Sequence, residues 1–216
     1  MANFINGIDV SRWQGPDINW QKVKAAGNLF SYVKATEGTA YSSKFINMGK
    51  KQATDAKAAG LKIGYYHFSH PSAANGVEKD ATAEANYFLK IVKTFPAFNF
   101  PLVLDFEDKA MLLSKDDSQK WILQFQKVIQ DAGFQFMLYS YASYLNSHLP
   151  TAHTLGQIPL WLAQYPKTFD INKFPPNPKG WTGWDIWQYF DKGKPNGVPG
   201  KACDMDIMTK DFFGKY

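Results

Sequence analysis

The chain has 216 residues, of which 45% are hydrophobic and 20% are charged, a composition that is typical of globular proteins and excludes disordered and fibrous classes. This length suits one large domain with a substantial core, so we expect a single domain over residues 1–216. The one cysteine, Cys203, excludes an internal disulfide and a cysteine-based metal cluster.

The sequence is basic, with a formal net charge of +5 and a pI of about 9.1. Such a charge favours attraction to polyanions, either nucleic acid or an acidic cell envelope. Because the chain has no Lys/Arg cluster and no nucleic-acid motif, we expect no nucleic-acid partner and favour the envelope. The N-terminus lacks the basic and apolar regions of a signal peptide, and no segment approaches the roughly 18 consecutive apolar residues of a membrane span. We therefore expect neither a signal peptide nor a membrane partner.

In the first half of the chain, β-rich segments alternate with amphipathic helical segments. We predict strands at 4–10, 29–35 and 61–68 and helices at 20–26, 45–59 and 77–93. The second helix ends before Gly60, a residue type that commonly follows the last helical turn. Polar or aromatic residues close the three strands: Asp9, Glu37, Tyr66 and His67.

Two carboxylates follow the short apolar run of residues 102–104, which is typical of a strand buried on both faces. Asp105 and Glu107 are two residues apart, so on a strand their side chains share one face, with Cα atoms about 6.5 Å apart. Like charges this close resist ionising together, so the pair keeps one proton near neutral pH and supplies an acid and a base. Cleavage of an acetal needs that combination. An acidic strand end in solvent is the alternative that this motif alone leaves open.

The second half of the chain contains one more long helix, at 118–132, and then strands separated by loops. We predict these strands at 134–139, 159–164, 184–190 and 202–207. They carry further polar and aromatic residues: Tyr139, Trp161, Gln188, Asp204 and Asp206. The series of strands and helices predicts an α/β fold, a closed or nearly closed barrel of mainly parallel strands with fewer helices in its C-terminal half.

The carboxyl ends of the strands form the reactive face of such a barrel. Here that face is acidic and aromatic within a basic protein, and this contrast indicates a functional cleft. The aromatic content, 16% of the residues, suits a sugar-binding cleft as well as a core. Clustered acids also bind metals, but the sequence has no His pair at ligand spacing and no calcium-loop motif. We expect no metal and no cofactor.

Seven segments resemble one family, in order along the chain: GIDVSRWQG at 7–15, KATEGT at 34–39, GYYHF at 64–68, LDFED at 104–108, LWLAQY at 160–165, IWQY at 186–189 and CDMD at 203–206. The chain is similar to the family 25 glycoside hydrolases, the Chalaropsis-type lysozymes found in bacteriophage endolysins and bacteria. The resemblance implies an irregular, flattened TIM-like β/α barrel. It also implies an N-acetylmuramidase that cleaves the β-1,4 bond between N-acetylmuramic acid and N-acetylglucosamine in peptidoglycan, for bacterial lysis or wall turnover.

Matched position by position, the resemblance implies that Glu107 is the general acid. Asp105 would act either as the nucleophile or as the residue that orients the 2-acetamido group of the substrate. Asp9 and Asp204 match two further acids of the family's cleft, whereas Cys203 departs from the Val that is usual there. The remaining residues of the implied cleft would bind substrate: Glu37, Tyr66, Tyr139, Trp161, Gln188 and Asp206.

Other interpretations follow from the same residues. A family 18 chitinase-like barrel also ends a strand in D-x-E, but its signature has a further Asp where this chain has Leu102. A carbohydrate-binding barrel without turnover would have lost a member of the acid pair, and both are present. On a strand, His67 faces away from Tyr66, so a core histidine is at least as good an interpretation as a catalytic one.

The resemblance further implies bacterial peptidoglycan as the partner, and the basic surface suits anionic wall polymers as a second one. We expect a monomer without a separate wall-binding module. Without a signal peptide, the protein would be made in the cytoplasm of a bacterial host and would act on the cell wall after release.

Overall fold

The computed structural model describes residues 3–109, 113–200 and 202–216. Within these ranges the strands are β1 (Phe4–Val10), β2 (Asn28–Glu37), β3 (Lys62–Phe68), β4 (Leu102–Asp105), β5 (Phe136–Tyr141), β6 (Leu160–Ala163), β7 (Ile186–Gly193) and β8 (Cys203–Thr209). Each strand pairs with its neighbours in chain order, and β8 also pairs with β1, so the sheet closes. The predicted barrel is therefore confirmed.

Helices pack on the outer face of the barrel. They are α1 (Trp20–Ala25), α2 (Ser43–Ala58), α3 (Val77–Val92), α4 (Lys115–Asp131), α5 (Ala142–His148) and α6 (Lys210–Lys215). The long helices α2 to α4 all precede β5, which confirms the smaller helical content of the C-terminal half. The sequence does not predict α5 or α6. These helices have seven and six residues, which are too few to show a clear helical period. No helix in the described ranges is both long and apolar enough to traverse a bilayer.

Helix α4 illustrates how the sequence pattern determines packing. Its buried residues include Trp121, Phe125 and Ile129, which recur at helical spacing along one face. The Ser114 hydroxyl caps the first turn by accepting a hydrogen bond from a backbone N–H. Gly133 follows the last turn with a φ of 85°, a conformation that favours glycine. This apolar face packs on α3 and on β5, so α4 covers the outer face of the barrel there.

The direction of β8 corrects the expectation that its carboxyl end lies at the reactive face of the barrel. β8 runs antiparallel to both β7 and β1, whereas the other neighbouring strands are parallel. The connection at 194–202 is shorter than the dozen or so residues that a crossover to a parallel strand needs. Consequently the beginning of β8, not its end, lies at the face where the other strands end. Asp204 and Asp206 reach that face because they stand near the start of the strand.

Side chains that alternate along the strands divide the apolar core into two parts. One part lies between strands and helices and includes Leu104 and Phe125. The other part fills the barrel interior and includes Tyr32, Met137 and Trp161. The ring centroids of Tyr32 and Trp161 are only 4.8 Å apart. The interior is thus a packed core, and a ligand site has room above it, where the strand ends meet.

Candidate active site

Inward-facing side chains from most of the strands meet above the aromatic core. A cavity of about 160 Å³ opens there. It is lined by Asp9, Tyr66, Glu107, Tyr139, Trp161, Tyr165, Gln188 and Asp204. All of these residues except Tyr165 are site residues predicted from the sequence, so the fold brings together side chains that are far apart in the chain.

Asp105 and Glu107 keep the shared face that their spacing predicts, although β4 ends at Asp105. The pairing continues for one more residue, because the Phe106 N–H donates to the Tyr139 carbonyl (3.0 Å). Phe106 points outwards into the layer beneath the helices, with its ring centroid 5.7 Å from that of Tyr144. Glu107 therefore turns back to the side of the barrel that Asp105 faces, and lines the cavity.

Burial and mutual repulsion keep this acid pair partly protonated. Burial raises the pKa of Glu107 to about 7, although the ammonium groups of Lys34 and Lys109 oppose the rise. Burial, and then the charge of Glu107, raise the pKa of Asp105 well above its usual range. Oδ1 of Asp105 is buried and has no hydrogen-bond partner among the described residues. The pair can thus hold a proton near neutral pH and donate it.

Asp9 and Asp204 form a second pair of carboxyl groups, on neighbouring strands. They lie directly opposite each other in the register of β1 and β8. Burial raises the pKa of Asp204 to about 7, and the charges of Asp191 and Glu107 add to the rise. Burial also raises the pKa of Asp9 well above its usual range, with further contributions from Asp204 and Asp206. Like charges opposite each other repel, so the pairing of the strands itself disfavours full ionisation.

Gln188 connects Asp9 to two tyrosines. Its Nε2 donates to Asp9 Oδ2 (2.6 Å). Its Oε1 accepts hydrogen bonds from the hydroxyls of Tyr139 (2.8 Å) and Tyr165 (2.6 Å). The amide is therefore fixed from three sides and orients the Asp9 carboxyl group in the cavity. Sequence reasoning missed Tyr165, although its position just after β6, at the end of LWLAQY, is a further strand-end position.

A second cavity, of about 720 Å³, adjoins the first, since Glu107 and Tyr165 line both. Its other lining residues are Phe68, Asp108, Lys109, Tyr141, Ala163 and Gln164. Tyr165 is 44% exposed, so part of its ring is available to a ligand. Together the cavities form one cleft past Glu107, with a small part and a larger part, both of which have aromatic side chains in their lining.

Glu37 lies outside this cleft, so its role as a substrate ligand stays a prediction. The pairing of β2 with β3 has an irregularity between residues 34 and 36, which returns Glu37 to the side of β2 on which Lys34 lies. The carboxylate contacts two cationic groups and an imidazole instead: Lys34 Nζ at 2.6 Å, Arg12 Nη1 at 3.7 Å and His70 Nε2 at 3.4 Å. Glu37 lines a separate cavity with His70 and Tyr41.

Asp206 and His67 are buried and do not line the cleft, and Asp105, also buried, lines neither cavity. Asp206 is 1% exposed, and its Oδ1 accepts a hydrogen bond from the Trp161 indole N–H (2.9 Å), so its contact with substrate stays a prediction. His67 points out of the barrel, with Nε2 2.7 Å from Glu84 Oε2 and Nδ1 2.8 Å from Thr36 Oγ1. Burial lowers its pKa. The structure thus gives His67 the position of a core histidine.

A closed α/β barrel with paired, partly protonated carboxyl groups at its strand ends is the arrangement of a glycoside hydrolase. In the part of the chain that the structure describes, no group of three or more His, Cys, Asp or Glu side chains is arranged to hold a metal ion. Residues 8–198 match the family model described as Glycosyl hydrolases family 25, and the chain belongs to this family.

Three similar proteins illustrate the relationship. Lysozyme M1 of Streptomyces globisporus is 34% identical over 209 residues, which cover 91% of this chain and 65% of that protein. The N,O-diacetylmuramidase of Arthroderma benhamiae is 29% identical over 199 residues, 88% of this chain and 78% of that protein. The crystal structure of a bacterial lysozyme from Streptomyces coelicolor superimposes with a TM-score of 0.78 at 32% identity, covering 94% of this chain and 91% of that one.

The raised pKa of Glu107 predicts a pH-dependent stability. Folding favours the protonated form, so the stabilisation is complete below the usual pKa of 4.5 and is lost as the pH rises through about 7. Glu107→Gln removes this titration. At pH 8 we expect the free energy of unfolding of the variant to exceed that of the wild type by about 2 kcal/mol, and at pH 4 we expect the two to agree. Urea unfolding at both pH values measures the difference.

Glu78→Gln, on the exposed side of α3, is the matched control and should show no gain at pH 8. If Glu107→Gln were no more stable than the wild type at pH 8, burial would not be raising the pKa of Glu107 as described.

Proposed function

We propose that the protein is a peptidoglycan hydrolase, an N-acetylmuramidase that cleaves the β-1,4 bond between N-acetylmuramic acid and N-acetylglucosamine. The observation that carries this proposal is the position of Glu107, whose carboxyl group has a pKa of about 7 and lies where the two cavities of the cleft meet. Similar proteins are named a lysozyme and an N,O-diacetylmuramidase. Both names support a substrate that contains muramic acid.

Glu107 acts as the general acid. Near neutral pH a large share of its carboxyl groups is protonated and can donate to the oxygen that leaves the anomeric carbon. The same group, once ionised, accepts a proton from the water that completes hydrolysis. A pKa near 7 suits both steps, because an acid–base catalyst is most effective when its pKa is close to the working pH.

Asp105 orients the substrate for an internal attack. Its buried Oδ1 can accept the N–H of the 2-acetamido group of muramic acid. The acetamido carbonyl oxygen attacks the anomeric carbon while the leaving oxygen takes the proton of Glu107, which gives an oxazoline-like intermediate. Water then opens the intermediate, so the β-configuration is retained. The second candidate is direct attack by the Asp105 carboxylate, which its place beside Glu107 also allows.

The remainder of the cleft binds the glycan. Rings of Tyr66, Tyr139 and Trp161 shape the small cavity, and Tyr141 and Tyr165 are available to neighbouring sugars in the large one. The net charge of +5 draws the enzyme, acting as a monomer, to anionic polymers of the wall. The proposed place of action is the bacterial cell wall, in lysis or wall turnover, after release from the cytoplasm in which the chain is made.

Digestion of purified peptidoglycan tests the reaction. The wild type should release fragments with muramic acid at the new reducing ends, which mass spectrometry identifies. Glu107→Gln should lower the rate at least about 10²-fold, because a positioned general acid contributes that much or more, while circular dichroism shows a preserved fold. Glu78→Gln should keep the wild-type rate. N-acetylglucosamine at the new ends, or lysis near the wild-type rate by Glu107→Gln, would refute the assignment.

Proton NMR of the first-formed product tests the internal attack. We expect the β-anomer to appear before mutarotation, because attack by the acetamido oxygen and then by water inverts the anomeric carbon twice. An α-anomer would mean that water attacks directly. A sugar found covalently bound to Asp105 by mass spectrometry of the protein would mean that the carboxylate itself is the nucleophile.

A further inference from the structure

Lys34 lies on the side of β2 that faces the barrel interior. Residues of β2 alternate between the two faces of the sheet, with Phe30 and Tyr32 in the barrel interior and Val33 in the layer under the helices. Lys34 follows on the interior side and pairs with Tyr66, which lines the small cavity. A cation is thus placed beside a strand that contributes to the cleft.

The ammonium group of Lys34 is held in place on several sides. Its side chain is 12% exposed, and its Nζ lies 2.6 Å from Glu37 Oε2. The Nζ also lies 4.5 Å from the centroid of the Phe68 ring and 5.6 Å from that of Tyr41. A partly buried cation between two rings and a carboxylate is fixed in position, unlike a lysine on a solvated surface.

The register of the strands brings this cation close to the acid pair. Phe68, whose ring contacts Lys34, lies beside Asp105 in the pairing of β3 with β4. β2 and β4 are separated by one strand, and Lys34 is level with Val103, two residues before Asp105, so about 12 Å lies between the backbones of Lys34 and Asp105. Both side chains face the interior, which brings their charges nearer than their backbones.

We propose that Lys34 is a positioning residue that acts as the counter-cation of the acid pair, favouring ionisation of both carboxyl groups against the effect of burial. Glu37 serves this role by anchoring the ammonium group. The inference rests on the proposed function, in which Asp105 must accept the acetamido N–H as a carboxylate. Without a cation, two buried carboxyl groups would both tend to stay protonated.

The electrostatics of the pair agree with this geometry. Lys34 lowers the pKa of Asp105 and that of Glu107, in each case against the effect of burial. Other ionisable groups surround the pair and Lys34: Asp9 and Arg12 on or after β1, Glu37 and Tyr41 on or after β2, Tyr66, His67 and His70 on or after β3, Glu84 on α3, Asp108 and Lys109 after β4, Tyr139 and Tyr141 on β5, Tyr165 after β6, and Asp204 on β8. Lys109 acts on Glu107, whereas Lys34 acts on both carboxyl groups.

The test compares two neutral variants, Lys34→Met and Lys34→Gln, with Lys34→Arg, which keeps the charge. Lys62→Met is the matched control. Lys62 begins β3 at the other end of the barrel, where its Nζ lies 4.3 Å from the Phe213 ring centroid and donates to the Phe213 carbonyl (3.2 Å). This variant removes a partly buried lysine beside a ring, but one that does not face the cleft.

Carboxyl-carbon NMR titration of the substrate-free protein gives the first readout. In both neutral variants Asp105 and Glu107 should titrate on the order of one pH unit higher, the size expected for loss of a charge about 10 Å away in a protein interior. Lys34→Arg and Lys62→Met should titrate like the wild type. The pH profile of kcat/KM on a soluble glycan with muramic acid gives the second readout, and both of its limbs should move to higher pH in the neutral variants.

Unchanged titrations in both neutral variants would overturn the inference, as would a rate that falls equally at every pH without movement of the limbs. The NMR readout needs no turnover, so it separates this inference from the proposed function. If the titrations shift but the wild type leaves glycans with muramic acid intact, the proposed function fails and the electrostatic role of Lys34 stands.

Discussion

Several carboxyl groups are buried together at one end of a closed barrel, and the rest of the structure has to accommodate them. Asp9, Asp105, Glu107, Asp204 and Asp206 all have raised pKa values, and burial is the first cause in each case. A carboxylate removed from water either takes up a proton or needs a compensating partner. Because aromatic side chains fill the barrel below, the carboxyl groups remain concentrated at the open end.

These carboxyl groups differ in the hydrogen bonds that compensate for their burial. Asp9 accepts a hydrogen bond from Gln188, and Asp206 accepts one from the Trp161 indole, so both are oriented by the protein. Asp105 and Asp206 each keep one buried oxygen without a partner among the described residues. An unpaired buried acceptor lowers stability, and a substrate N–H that pairs with it recovers that free energy on binding. Asp105 is the one of these two carboxyl groups to which the proposed reaction assigns a contact with substrate.

The sequence predicts the long elements and most residues of the cleft, because side-chain alternation and strand ends depend on local patterns. It does not predict the direction of β8, which follows from a connection too short to cross over. Nor does the sequence distinguish the role of Lys34 from that of Glu37. An acid at a strand end suggested a contact with substrate, but Glu37 contacts Lys34 and lines a separate cavity. Tyr165 was missed because it stands in a loop.

A crystal structure of Glu107→Gln with a bound glycan that contains muramic acid would test the roles of Glu107 and Asp105 together. We expect the side-chain amide at position 107 to lie within hydrogen-bond distance of the glycosidic oxygen. We also expect the 2-acetamido N–H of muramic acid to donate to Asp105 Oδ1, with the acetamido carbonyl oxygen next to the anomeric carbon. A glycan bound with its acetamido group away from Asp105, or bound outside the cleft that Glu107 lines, would refute these roles.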